Sequence, residues 1–175
     1  MTSPSTSLFI ARICTSPLGC IEVQAGNSGL YSVNLYGSRP PLLFSEMRPA
    51  GSDNPAGLAL EQILEYLSGS RREFDAAVDW SYIKPFQAEV LKAALAIPFG
   101  AFLTYGQIAR QLGKPAASRA VGGALAHNPV PIIIPCHRVV AADGSLTGFS
   151  AADGIRAKQW LLELEGHRVV SEKLV

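Results

Sequence analysis

The stretch LTYGQIARQLGKPAASRAVGGALAHN, residues 103–128, restricts the fold more than any other part of the chain. Thr104 followed by Gln107 is a capping box, in which two side chains satisfy orphan N–H groups reciprocally, and Leu103 with Ile108 can staple the same helix start. Gly113 ends that helix, Lys114-Pro115 turns the chain, and a second helix begins at once. Two short helices joined by a turn of about three or four residues that contains glycine form a helix-turn-helix unit.

The second helix is unusual. In PAASRAVGGALA the side chains are almost all methyls or hydrogens, and each glycine of Gly122-Gly123 costs about 1 kcal/mol relative to alanine inside a helix. Either the helix packs tightly on its own domain, or a nucleic-acid groove approaches it closely and receives the lone guanidinium of Arg119. The charge pattern favours the second reading. A formal net charge of +1 is uninformative by itself, but no acidic residue lies between Glu89 and Asp143, whereas Lys92, Arg110, Lys114, Arg119 and Arg138 do. Such a window is the local footprint of a polyanion-binding face.

Before this region the pattern is that of a small α+β unit. LFIARIC, CIEVQA and LYSVNL, separated by SPLG and GNSG, read as an antiparallel meander over residues 8–35. A Pro/Gly/Ser-rich loop covers 37–56. Leu60, Ile63, Leu64 and Leu67 mark one face of a helix over 57–68, and FDAAVDWS reads as a further strand. Lys84-Pro85 is a boundary signal, which divides the chain into domains 1–84 and 85–175. The second domain opens with a helix carrying Phe86, Val90, Leu91, Ala94 and Leu95, stopped by Pro98.

No apolar run approaches the roughly 20 residues that a bilayer span requires. The N-terminal stretch lacks a basic segment and is interrupted by Arg12, so it does not read as a secretory signal. Three cysteines, an odd number, argue against a disulfide framework and for a reducing compartment, which makes the cytoplasm the expected location. Cys14 and Cys20 read as small strand hydrophobes.

The third cysteine has different surroundings. In IPCHRVVA, residues 134–141, Cys136 directly precedes His137 and Arg138 behind a run of isoleucines. A metal site finds no convincing ligand set, because no Cys-x-x-Cys or His-x-x-x-His pair exists. Nucleophilic chemistry fits better, since a thiolate needs a base or a positive charge nearby. Neighbours in an extended chain point to opposite sides, so His137 reaches the Cys136 sulfur only through a sharp turn or a bridging water. Glu165, at the end of the helix in GIRAKQWLLELEGH, opposes the helix dipole there. That placement has a reason if Glu165 accepts a hydrogen bond from His137; otherwise it is a solvated helix end.

With these residues assembled, the chain resembles the O6-alkylguanine-DNA alkyltransferases, or methylated-DNA:protein-cysteine methyltransferases. FQAEVLKAALAIPFG, TYGQIARQLGKP, SRAVGGALAHNPVPIIIPCHRVV, DGSLTGFS and KQWLLELEGH follow that family's order and spacing; the first half matches only in its TSPLG turn and strand pattern. The resemblance implies a ribonuclease-H-like N-terminal domain and a winged-helix-like C-terminal domain. It further implies that Cys136 takes the alkyl group from the 6-oxygen of guanine, once per molecule and irreversibly, with His137 as base through a water and Glu165 orienting the imidazole. Asn128 would brace the Cys136 turn, and Tyr105 would donate a proton to the departing base. Arg119 would fill the gap left by the flipped nucleotide. Val139, Phe149 and Ser150 match positions of the guanine pocket, and Ser118 and Gly122 match the minor-groove face. The implied partner is double-stranded DNA, with no cofactor, no metal and no membrane, and the protein acting as a monomer. Phe149 replaces a tyrosine common among relatives, and Ala152-Asp153 falls where they often have small residues such as glycine. Two other readings remain open: a DNA-binding module in which Cys136 is idle, and a cysteine hydrolase that turns over on an ester or amide.

Overall fold

The computed structural model describes residues 8–37 and 53–175, and over these the chain divides into two compact units, Met1–Tyr82 and Ile83–Val175. Most of the expected 37–56 loop and the first seven residues lie outside the described residues.

In the first unit, β1 (Phe9–Ser16), β2 (Gly19–Gly26) and β3 (Gly29–Leu35) form an antiparallel sheet in the order β1-β2-β3. Period-2 alternation sets the register: Arg12 pairs with Glu22, which pairs with Asn34, so all three point to one face. There Arg12 Nε donates to Glu22 at 2.6 Å and Gln24 Nε2 donates to it at 2.6 Å. Burial raises the Glu22 pKa, but Arg12 and the amides of Gln24 and Asn34 outweigh it and hold the carboxyl below its ordinary value. The helix α1 (Pro55–Leu67) packs on the sheet through Ala56, Ala59, Leu60, Ile63, Tyr66 and Leu67. It starts at Pro55, two residues ahead of the expected start, because the N-cap Asn54 side chain accepts from the Ala56 and Gly57 N–H groups.

Two expectations for this unit fail. FDAAVDWS is no strand: Val78 makes a single bridge to Leu30, with Leu30 N–H donating to Ala77 and Asp79 N–H to Leu30. Cys14 and Cys20 are not independent hydrophobes but a disulfide pair. A bulge between Ile13 and Ser16 breaks the hairpin register and sets Cys14 against Cys20, a local irregularity that alternation does not foretell. The cysteine count therefore no longer argues for a reducing compartment, and Cys136 is the free thiol.

The second unit is helical with short strand pairs. Helix α2 (Pro85–Leu95) packs on α3 (Tyr105–Gln111) and α4 (Ser118–Ala126), burying Val90, Leu91 and Ala94 but leaving Leu95 exposed. The Thr104–Gln107 capping box forms, with Gln107 N–H to Thr104 Oγ1 at 3.2 Å and Thr104 N–H to Gln107 Oε1 at 2.6 Å. Strand β4 (Leu103–Thr104) pairs parallel with β5 (Val139–Val140). This small pairing places the start of α3 beside the segment that follows Cys136, His137 and Arg138. The last helix, α5 (Ile155–Leu164), ends with His167 N–H donating to Leu162 and Gly166 at φ +90°, the left-handed stop that glycine adopts without penalty. A hairpin of β6 (Val169–Val170) and β7 (Lys173–Leu174) then covers a small cluster of Val140, Leu146 and Leu162. Among the described residues no helix is long and apolar enough to cross a membrane.

Candidate active site

The apolar run before Cys136 is a wall that holds one turn in place. Asn128 Nδ2 donates to the Ile134 carbonyl at 2.8 Å, and its Oδ1 accepts from Val130 N–H at 3.0 Å, so one amide ties both ends of PVPIII. Ile132 is held at φ +74°, a conformation that costs a β-branched residue about 1–3 kcal/mol and persists only where the surroundings enforce it. Pro135 (φ −81°, ψ 65°) lets Cys136 N–H donate back to Ile134 at 2.8 Å, an inverse γ-turn. A single 3₁₀ turn, Cys136–Arg138, follows. It supplies a sharp bend between the cysteine and the histidine, and His137 is buried within it.

His137 and Glu165 are fully and almost fully buried, and His137 Nε2 lies 3.0 Å from Glu165 Oε1. A carboxylate only accepts, so Nε2 carries the hydrogen and Nδ1 is the nitrogen left to take a proton. Burial lowers the His137 pKa, with Glu165 opposing that effect and the charges of Arg138 and Lys158 adding to it. The ring is therefore a neutral imidazole at pH 7, the form a general base requires. Glu165 is also gripped by Arg138, whose Nε lies 3.0 Å from both carboxylate oxygens and whose Nη2 lies 2.8 Å from Oε1. Arg138 Nη1 donates to the Ile97 carbonyl, and Glu165 Oε2 accepts from Gly100 N–H at 3.2 Å. Glu165 is thus no solvated helix end. Arg138 is buried at 5% exposure and does not belong to the basic surface where its sequence position put it. Lys114 pairs with Glu89 at 2.6 Å, which thins that footprint further.

The Cys136 residue is partly exposed, yet its thiol sits in enough protein that burial raises its pKa. The Asn128 side chain, the Lys158 charge and the N–H groups of Cys136 and His137 oppose this. At neutral pH the group rests as a thiol. Ionisation has to be coupled to proton removal rather than present beforehand.

Tyr105, the first residue of α3, donates its hydroxyl to the Thr147 carbonyl at 2.8 Å. Burial raises its pKa. Val139 is buried beyond the 3₁₀ turn and Phe149 is buried in the loop, while Ser150 Oγ donates to Ala126 at 3.0 Å and links that loop to the end of α4. Ser118 begins α4 without a side-chain cap, and Arg119 is exposed. A Cβ built on Gly122 would stand 3.8 Å from the Tyr105 ring and one on Gly123 would meet nothing, so packing within the unit does not demand either glycine.

Two functional side chains escaped the sequence reading. Lys158 is fully buried on α5, its Nζ donating to Val139 at 2.6 Å and to Thr147 at 2.8 Å. Burial draws its pKa down to about 8, with Cys136 pulling the other way. Arg138 was assigned to the wrong surface. The signal for Lys158 was present: Lys158, Leu161, Leu162 and Glu165 share one helical face, so the lysine lies on the buried stripe. Among the described residues no three His, Cys, Asp or Glu side chains gather as metal ligands.

Comparison with known proteins adds an independent line. The model of the "6-O-methylguanine DNA methyltransferase, DNA binding domain" family matches residues 85–172. The methylated-DNA–protein-cysteine methyltransferase of Salmonella typhimurium is 45% identical over 114 residues, which is 65% of this chain and 65% of that protein. The protein of that name from Mycobacterium tuberculosis is 38% identical over 163 residues, 92% of this chain and 94% of its own. The crystal structure of the M. tuberculosis O6-methylguanine methyltransferase superposes with a TM-score of 0.75 at 37% identity, covering 94% of this chain and 96% of that one. A structure of an M. tuberculosis relative in complex with DNA gives 0.72 at 40% identity, covering 89% and 91%. A free cysteine, a buried histidine–glutamate pair and these matches lead to one conclusion: the chain belongs to the methylated-DNA–protein-cysteine methyltransferase family.

Proposed function

We propose that this protein repairs O6-alkylguanine in double-stranded DNA by moving the alkyl group onto Cys136, once per molecule. The observation that carries the reading is the buried 3.0 Å contact between His137 Nε2 and Glu165 Oε1, which fixes the imidazole that follows the free thiol Cys136 in sequence. The Cys136 proton passes through a water to His137, and the thiolate attacks the alkyl carbon in line. A carbon–sulfur bond forms as the carbon–oxygen bond breaks, and its electron pair goes to the guanine. Tyr105 protonates the departing base, and the proton held by imidazolium restores the phenol through solvent. The imidazolium that forms is stabilised by Glu165, which Arg138 prevents from swinging away. A thioether has no route back to a thiol here, so the protein is consumed.

DNA recognition falls to the α3–α4 pair, read as a helix-turn-helix within a winged-helix-like domain of residues 85–175. Residues 1–84 are read as a ribonuclease-H-like domain. The small-residue face of α4, with Ser118 and Gly122, suits close approach of the minor groove, and the exposed Arg119 fills the space of the flipped nucleotide. Val139, Phe149 and Ser150 line the pocket for the base, and Asn128 braces the thiol. The protein needs no cofactor and works as a monomer.

Cys136→Ser tests this reading. A hydroxyl is a far weaker nucleophile and the DNA-facing helix is elsewhere, so transfer should vanish while binding to duplex DNA persists. Substantial methyl transfer by the variant would remove Cys136 from its role.

A further inference from the structure

Tyr105 has one hydroxyl proton, and in the free protein it is committed to the Thr147 carbonyl at 2.8 Å. To protonate a departing base, the phenol must let that carbonyl go. A carbonyl abandoned without another donor raises the barrier. The same carbonyl already has a second donor. Lys158 Nζ reaches Thr147 O at 2.8 Å and is itself pinned by Val139 O at 2.6 Å. The ammonium also lies 5.9 Å from the Tyr105 ring centroid, where a positive charge favours the phenolate that forms when the proton leaves. Gly148, at φ +67°, brings the 147–148 peptide so close that an added Cβ would meet the Tyr105 hydroxyl at 2.9 Å. The three groups therefore act as one assembly.

We propose that Lys158 is a positioning residue that lets Tyr105 change acceptors: it keeps the Thr147 carbonyl satisfied and steadies the phenol's negative charge while the proton goes to the base. The inference rests on reading Tyr105 as the proton donor. Among the described residues, the titratable groups that interact with the Lys158 ammonium are Cys136, His137 and Tyr105. With its pKa near 8, the lysine is largely charged at neutral pH and loses that charge above it.

The test is a double-mutant cycle on the alkylation rate with O6-benzylguanine as free base, which removes DNA from the comparison. Lys158→Met keeps the chain length without a donor and should slow the wild-type background by roughly 10- to 100-fold, the effect of leaving one carbonyl unsatisfied in the transition state. In Tyr105→Phe, which has no proton to release, the same substitution should cost several-fold less, the remainder being the Lys158 charge lost from beside the Cys136 thiolate. Equal losses in both backgrounds overturn the proposal and leave Lys158 a purely structural prop. A Tyr105→Phe protein as fast as wild type refutes instead the reading of Tyr105 on which the proposal rests. If Lys158→Met does not fold, the rate ratio of wild type to Tyr105→Phe decides the matter: it should shrink from pH 7 to pH 9 as Lys158 loses its charge, and a flat ratio overturns the proposal.

Discussion

Glu165→Gln separates the two duties of that carboxylate and yields a magnitude. The side chain is buried and accepts from Arg138 Nε and Nη2 at 2.8–3.0 Å, from His137 Nε2 at 3.0 Å and from Gly100 N–H at 3.2 Å. An amide of the same shape keeps one oxygen but turns an NH₂ group toward donors and leaves the Arg138 guanidinium buried without its counter-charge. Breaking a buried pair from one side typically costs about 3–5 kcal/mol. Against a total stability on the order of 5–15 kcal/mol, that is a large fraction. Urea unfolding at pH 7 should show the loss as a lower midpoint at an unchanged m-value. Arg138→Met/Glu165→Gln should recover part of it, because the uncompensated charge is gone. The alkylation rate of the folded Glu165→Gln protein should also shift its pH dependence upward, since imidazolium is less stabilised and the thiolate forms less readily. A midpoint indistinguishable from wild type, or a double variant worse than the sum of the two singles, would refute the reasoning.

Arg119→Ala should slow repair of duplex DNA more than reaction with free alkylguanine, as rates on the two substrates will show, because only the duplex needs its gap filled. Alkylated protein should melt earlier than free protein: a methyl added beside the Asn128-braced turn is expected to cost about 1–3 kcal/mol, more for benzyl, and equal melting midpoints across the series would contradict this. His137 contributes a pH dependence of definite sign. Its folded pKa lies below the unfolded value near 6.5, so its contribution is present above that value and is lost as pH falls, when the unfolded chain binds a proton that the native site refuses. Between pH 7 and pH 5.5 the unfolding free energy should drop by up to about 1.4 kcal/mol per pH unit from this residue, and His137→Gln should flatten that slope.

Elements defined by local chemistry were legible in the sequence. The Thr104–Gln107 box, the stop at Gly113 and the β1–β3 alternation each rest on residues within one turn or one strand, so the pattern alone specifies them. What escaped depends on distant partners. Arg138 reads as a surface cation until Glu165, 27 residues away, is seen to bury it. The Cys14–Cys20 pair depends on a bulge that no periodicity announces. Val78 has strand character but meets β3 at one bridge only, at Leu30. Lys158 lies by its spacing on the buried face of α5, but lysines are seldom fully buried, so residue type points the other way.

The central claim is that Cys136 accepts one alkyl group from guanine in DNA. Titrating the protein with a duplex carrying a single O6-methylguanine, followed by mass spectrometry and peptide mapping, tests it directly. The predicted result is a mass increase of one methyl in place of a hydrogen, confined to the peptide containing Cys136, with the lesion restored to guanine in equal amount and no second turnover. An unchanged protein mass with intact lesion, or repair that continues beyond one equivalent, would contradict it.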